Sequence, residues 1–182
     1  MSMSDRVVVM RDGEIVQLGS PVELYRSPAT LFVATFVGSA NVWPGEIVDV
    51  NGAYAVVAVG DRRLRAPLCA NVTRGDRVAI VLRSEAVALA KSDQATSADA
   101  SVSVEGVVGD VRFVGAVVNY RIDVGDRALT VTRPSRDVEV LGEGDRVTAS
   151  WRPQDVLLLK AEEAGGGDMP PAASIDAEGE EE

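Results

Sequence analysis

The stretch Gly75-Asp76-Arg77-Val78, followed by Leu82-Arg83-Ser84-Glu85, recurs downstream as Gly144-Asp145-Arg146-Val147 followed by Trp151-Arg152-Pro153-Gln154. Val87 and Leu89 then correspond to Val156 and Leu158, and Gly60-Asp61-Arg62 corresponds to Gly125-Asp126-Arg127. Matched turns and matched apolar runs at nearly constant separation indicate an internally duplicated β unit. Around these landmarks the chain predicts short strands at regular spacing: Glu46 to Val50, Ala53 to Val59, Val78 to Leu82 and Ala86 to Ala90 in the first copy, with a second β zone from Val104 to Leu159. Asn51-Gly52 is a strong hairpin signal between two of them. The expected architecture is mainly β, with small barrels or one composite barrel in which closure removes exposed strand edges.

Composition sets the outer limits. Of 182 residues, 46% are hydrophobic and 25% charged, as in a globular chain, but only 4% are aromatic, so Val, Ala, Leu and Ile must build the core. No apolar run approaches the ~20 residues of a membrane helix. The absence of histidine removes Ser-His-Asp and Cys-His chemistry and nearly every ordinary zinc site. Cys69 is the single cysteine, so no disulfide can close within the chain. The net charge of −10 is concentrated at one end. Residues 161–182 contain Glu162, Glu163, Asp168, Asp176, Glu178, Glu180, Glu181 and Glu182 and no Lys or Arg. The remainder is nearly neutral and shows no basic patch, which argues against nucleic-acid binding.

Upstream of the duplication, Val7-Val8-Val9-Met10 and Ile15-Val16-Gln17-Leu18 flank an Asp12-Gly13 turn and read as a hairpin. Ser20, Pro21 and Glu23 form a capping box at a helix start. A second helical stretch opens near Pro28, places Leu31, Phe32, Thr35 and Phe36 on one side, and ends at Gly38. Residues 91–103 read as a linker and 161–182 as a disordered acidic tail.

The order hairpin, Gly19-Ser20-Pro21-Val22-Glu23-Leu24-Tyr25, Pro28, helix, Phe36-Val37-Gly38 resembles the end of the nucleotide-binding domain in ATP-binding subunits of ABC importers for polyamines, ferric iron, sugars or oxyanions. In that family a TOBE domain follows, an OB-type module of repeated halves. Its Leu-Arg-Pro-Glu-like segments are matched by Leu82-Arg83-Ser84-Glu85 and Trp151-Arg152-Pro153-Gln154. The resemblance implies three parts: 1–40, the end of a nucleotide-binding domain; 41–160, a TOBE/MOP-like, OB-like β domain with repeats about 42–90 and 104–159; and the tail 161–182. The chain departs from the family's catalytic pattern. It contains no Gly-Lys pair and hence no Walker A loop; its lysines are Lys91 and Lys160, and there is no switch histidine.

The implied role is therefore non-catalytic, with no cofactor and no metal. The implied location is cytoplasmic, peripheral to a membrane complex. The implied partners are a nucleotide-binding domain and, through it, permease subunits; a homodimer and a small anion or solute ligand stay open. The candidate regulatory, ligand or interface residues are Arg83, Glu85, Arg152 and Gln154, where an arginine can bind an anion bidentately or simply pair with a nearby acid. A free-standing TOBE protein that binds an oxyanion such as molybdate is the competing reading, and an OB-type nucleic-acid module the weaker third. Trp43 and Trp151 are expected to pack, Cys69 to be an idle thiol, Gly165-Gly166-Gly167 to be linker, and Asp61, Asp76, Asp126 and Asp145 to stabilise turns through local backbone N–H bonds.

Overall fold

The structure is a computed structural model and describes residues 4–69, 72–92, 102–137 and 141–161. The triple glycine and the acidic tail, like most of the expected linker, lie outside the described residues.

The chain opens with an antiparallel hairpin, β1 (Val7–Arg11) and β2 (Glu14–Gly19). Asp12 and Gly13 both have positive φ, as a two-residue turn matched to strand twist requires. Helix α1 (Pro21–Arg26) carries the full capping box: Glu23 N–H donates to Ser20 Oγ, and Ser20 N–H donates to the Glu23 carboxylate. These bonds hold the Glu23 carboxyl below its usual range, the Ser20 backbone donor having the largest effect. Helix α2 (Leu31–Phe36) is capped by Thr30, and its buried face is Val33 and Ala34. Of the face expected from the sequence, Thr35 and Phe36 are exposed, Phe36 by 68%, while Phe32 is partly buried against the small N-terminal core. The reason is that α2 docks through Val33 and Val37 onto Val9 and Leu24, a small core separate from the main one.

The first β unit runs β3 (Ala40–Asn51), β4 (Tyr54–Val59), β5 (Arg62–Pro67), β6 (Arg77–Arg83) and β7 (Ala88–Lys91). The second runs β8 (Val102–Val114), β9 (Val117–Val124), β10 (Arg127–Pro134), β11 (Arg146–Trp151) and β12 (Val156–Lys160). They build two five-stranded sheets, β12-β6-β3-β4-β5 and β7-β11-β8-β9-β10, antiparallel throughout. Each unit gives its last strand to the other: β7 pairs with β11, and β12 pairs with β6. The exchange makes one continuous core from both copies, including Ile47, Ile80, Leu82, Val108, Ile122 and Leu129. The fold is thus mainly β and OB-like, made of two repeated halves after a short hairpin and helical segment.

The duplication extends to irregularities. β3 has a bulge between Ile47 and Asp49, and β8 has one between Val108 and Asp110. Gly45 and Gly106 precede these bulges. A Cβ on Gly45 would lie 2.5 Å from Val57 Cγ1 and 2.7 Å from the Ala58 carbonyl oxygen. On Gly106 it would lie 2.6 Å from Ile122 Cγ2 and 2.7 Å from the Asp123 carbonyl oxygen. β3 starts earlier than its apolar run suggests, because Pro44 falls where β3 is paired with β6 but not yet with β4. A missing N–H is tolerated at such a position.

Candidate functional site

Arg83 ends β6 and is 6% exposed. A buried guanidinium must be compensated by acceptors. Here they are backbone carbonyls near the ends of the two N-terminal helices. Arg83 Nη1 donates to the Ala34 carbonyl at 2.7 Å and Nη2 to the Tyr25 carbonyl at 3.0 Å. The guanidinium carbon also lies 4.4 Å from the centroid of the Tyr25 ring. Carbonyls in the last turn of a helix carry partial negative charge, so a cation is favoured there. Burial lowers the Arg83 pKa, but arginine retains its charge at any ordinary pH. Arg83 Nε is buried without a hydrogen-bond partner.

Gly38 completes the joint. Its φ of +90° reverses the chain between α2 and β3, and a Cβ there would lie 3.3 Å from the Tyr25 ring and 3.6 Å from Arg83 Nη1. The next residue, Ser84, is fully buried; its N–H donates to the Ser39 carbonyl, and its Oγ lies 2.9 Å from Thr132 Oγ1 on β10. Thr132 Oγ1 is in turn 2.8 Å from Asn119 Oδ1. Nearby, the buried Asn41 donates to the Thr130 carbonyl at 2.8 Å and accepts from Thr130 N–H at 2.7 Å, tying β3 to β10. One short segment therefore contacts the N-terminal helices and both β units.

The other three candidate residues behave differently. Glu85 is exposed, and its carboxylate accepts from the Ser84 hydroxyl at 3.2 Å. Arg152 occupies the place of Arg83 in the second unit but is exposed, and it forms a bidentate pair with Asp155, both contacts at 2.9 Å. Gln154 is exposed in the 3₁₀ turn Pro153–Asp155. Asn41 has no motif to mark it in the sequence, while Ser84 and Gly38 stand in the motifs Leu82-Arg83-Ser84-Glu85 and Phe36-Val37-Gly38, which give no sign of these contacts.

The four Gly-Asp-Arg triplets divide into two kinds. Gly60-Asp61 and Gly125-Asp126 are two-residue hairpin loops with glycine at positive φ. Asp76 and Asp145 close a different turn: their carboxylates accept from Thr73 N–H and Gly142 N–H, both at 2.9 Å. The same turns clamp the bulges, since Ile47 N–H donates to the Asp76 carbonyl and Val108 N–H to the Asp145 carbonyl, both at 3.0 Å. Trp43 and Trp151 are buried with ring centroids 5.8 Å apart. Cys69 is partly buried, which raises its thiol pKa and makes the thiolate scarcer.

A duplicated OB-like module docked through an arginine onto a hairpin and two short helices defines a class, and the comparisons agree with it. Residues 80–159 match the TOBE domain family, so the chain carries a TOBE domain. From the N-terminal hairpin onward it resembles the C-terminal part of ABC importer ATP-binding subunits. It is 33% identical over 166 residues to the spermidine/putrescine import ATP-binding protein PotA of Thermotoga maritima, covering 88% of this chain and 45% of that protein. It is 34% identical over 164 residues to the Fe(3+) ions import ATP-binding protein FbpC of Rhizobium etli, covering 88% and 43%. The chain thus spans less than half the length of these relatives. Among solved structures, the cytoplasmic molybdate-binding protein ModG superposes with a TM-score of 0.57 at 17% identity, covering 66% of this chain and 96% of that one. At that identity the likeness concerns the fold. Among the described residues, no helix is long and apolar enough to cross a membrane.

Proposed function

We propose that this chain acts as the non-catalytic accessory portion of an ABC importer's ATP-binding subunit, in which the β module is coupled to the nucleotide-binding domain through Arg83. The observation that carries the reading is the joint itself: a buried cation bound to carbonyls of both N-terminal helices from the end of β6, a strand paired with β12 of the other unit. The outer face of the hairpin and helices supports it. Val8, Met10, Ile15, Leu18, Val22 and Phe36 are exposed there, and an apolar face of this kind fits a covering nucleotide-binding domain. In this reading the residues before about 40 are the end of that domain, 41–160 is the TOBE region, and the chain works in the cytoplasm, held at the membrane by permease subunits. The imported solute belongs to the polyamine, ferric iron, sugar or oxyanion classes.

A hybrid subunit tests it, with this chain replacing the matching C-terminal part of the Thermotoga maritima relative. The hybrid should hydrolyse ATP. Arg83→Ala should weaken the dependence of hydrolysis on the permease, while Arg152→Ala should leave it unchanged. Equal effects of the two substitutions would refute coupling through Arg83. The fold shared with ModG favours a second reading, an oxyanion-binding TOBE protein. Saturable thermal stabilisation of the isolated chain by molybdate would select that reading over the first.

A further inference from the structure

We propose that strand β5 is the docking edge for the chain's own acidic C-terminal segment, residues 162–182. β5 carries Arg62, Arg63 and Arg65, all exposed, and no acid. The matched positions of β10 are Arg127, Ala128 and Thr130, so the second copy keeps one of the three arginines. The outer edge of β10 is tied to β3 by Asn41, whose amide bonds both main-chain groups of Thr130. In the other copy the position of Asn41 is held by Val102, whose side chain has no hydrogen-bonding group. β5 pairs with β4 on one side only. The first copy therefore presents a cationic edge where the second presents a tied one.

The arginines of β5 have no acid bound to them. Among the described residues, Arg62 and Arg63 make neither a hydrogen bond nor an ion pair. The Arg65 guanidinium carbon lies 4.7 Å from the centroid of the Tyr54 ring, a contact that orients the group and leaves its N–H donors for an anion. Asp61 stands in the hairpin loop before the strand, and Glu46 and Asp49 are two strands away on β3, about 10 Å across the sheet. The acids on the other side are engaged elsewhere. Asp155, in the turn packed against β5, pairs with Arg152, and Asp76 lies 3.6 Å from Lys160. The occupant follows from where the chain runs next. β12 forms the opposite edge of the same sheet, packs beside β5 and ends at Lys160. Residues 162–182 contain eight acids and no Lys or Arg. A segment of this length reaches about 70 Å when extended, several times the ~15 Å radius of gyration of a compact chain of this size. Tethering raises the local concentration of its carboxylates to the millimolar range, and guanidinium forks bind carboxylates through paired N–H donors. Arginines on an edge strand can also guard it against pairing with other chains, a role that predicts no contact with the acidic segment.

Cys69 is the only cysteine, so a nitroxide can be placed on the segment alone. In the full-length Cys69→Ser/Ser174→Cys variant, a nitroxide on the new thiol should broaden the NMR amide signals of residues 62–67, while those of 127–134 in β10 stay sharp. Raising the salt from about 0.1 M to about 1 M shortens the screening length from ~10 Å to ~3 Å and should remove the broadening. Arg62→Gln/Arg63→Gln/Arg65→Gln should remove it at low salt as well. Should that protein fail to fold, Glu178→Gln/Glu180→Gln/Glu181→Gln/Glu182→Gln, which alters no described residue, should reduce the broadening several-fold with the arginines in place. Equal broadening of β5 and β10 overturns the proposal, as does broadening that survives high salt or neutralisation of the segment. Broadening seen only between a spin-labelled copy and a separate isotope-labelled copy gives the edge to a second chain and overturns it too. Sharp β5 signals in the labelled chain, with aggregation of the arginine variant, would reduce the arginines to guards of an open edge and likewise overturn it.

Discussion

Arg83 and Arg152 hold the same position in two copies of one unit, each between the end of a strand and a 3₁₀ turn. Arg83 is buried and donates to the main chain of both N-terminal helices; Arg152 is exposed and pairs with Asp155 three residues away. The difference shows what each copy does with an arginine that the duplication supplied twice. In the first copy the neighbouring polypeptide covers the strand end, water is excluded, and the guanidinium has become a structural tie. In the second copy the strand end faces solvent, and the same group makes a local pair of little energetic weight. A repeat therefore fixes where an arginine sits, while its surroundings fix what it contributes.

The largest expected effect breaks this comparison directly. Arg83→Ala removes two hydrogen bonds from a charged donor and leaves the Ala34 and Tyr25 carbonyls without their partner. Bonds of this kind contribute ~1.5–3 kcal/mol each, so urea denaturation should show a loss of about 3 kcal/mol or more. Amide exchange should quicken in residues 20–38 before it changes in β8 to β10. Arg152→Ala should cost no more than about 1 kcal/mol, as for other exposed pairs. Comparable losses in the two variants would mean that burial at Arg83 brings no net gain over a surface pair.

A smaller effect tests the likeness of the copies rather than their difference. Gly45→Ala and Gly106→Ala each force a methyl group to within 2.7 Å of a carbonyl oxygen on the adjacent strand. Overpacking of this sort typically costs ~1–3 kcal/mol. Thermal unfolding should show nearly equal destabilisation for the two variants, because the bulges beside them have the same geometry. A large inequality would show that one sheet yields where the other cannot. A single transition in both variants is expected, since the exchanged strands β7 and β12 leave no copy with a sheet of its own.

The features that could be read from the sequence are those encoded by local chemistry. Asp12-Gly13, the Ser20-to-Glu23 capping box and the repeated Gly-Asp-Arg turns each act within a few residues, and each stands where the sequence places it. Gly52 shows the usual limit: Asn51 belongs to β3, and the two-residue loop is Gly52-Ala53. Strand exchange could not be read, because alternation of apolar residues says which face of a strand is buried and nothing about its neighbours. The buried face of α2 could not be read, because Phe36 has the size of a core residue, whereas the residues that pack with Val9 and Leu24 are Val33 and, just past the helix, Val37. Among the site residues, Arg83 was visible as a repeated motif, but its acceptors are main-chain carbonyls, to which no side-chain pattern points.

The smallest effect concerns the turn that clamps the first bulge. The Asp76 carboxylate accepts from Thr73 N–H at 2.9 Å and lies 3.6 Å from Lys160 Nζ. The Thr73 backbone donor lowers its pKa most; burial opposes it with the next largest effect, and Lys160 lowers it further. A carboxyl whose pKa is lower in the folded state stabilises that state once the pH is above its unfolded value, about 3.9 for aspartate. The stabilisation is lost as the pH falls through the lower, folded value. Asp76→Asn should therefore weaken the chain slightly at neutral pH, because an amide oxygen accepts from Thr73 less strongly and carries no charge for Lys160. The gap between wild type and variant should then close as the pH drops below about 4. The measurement is a pair of melting curves taken from pH 7 downward. A gap that persists unchanged into acid would mean that the turn depends on the shape of the side chain at position 76 and owes nothing to its charge.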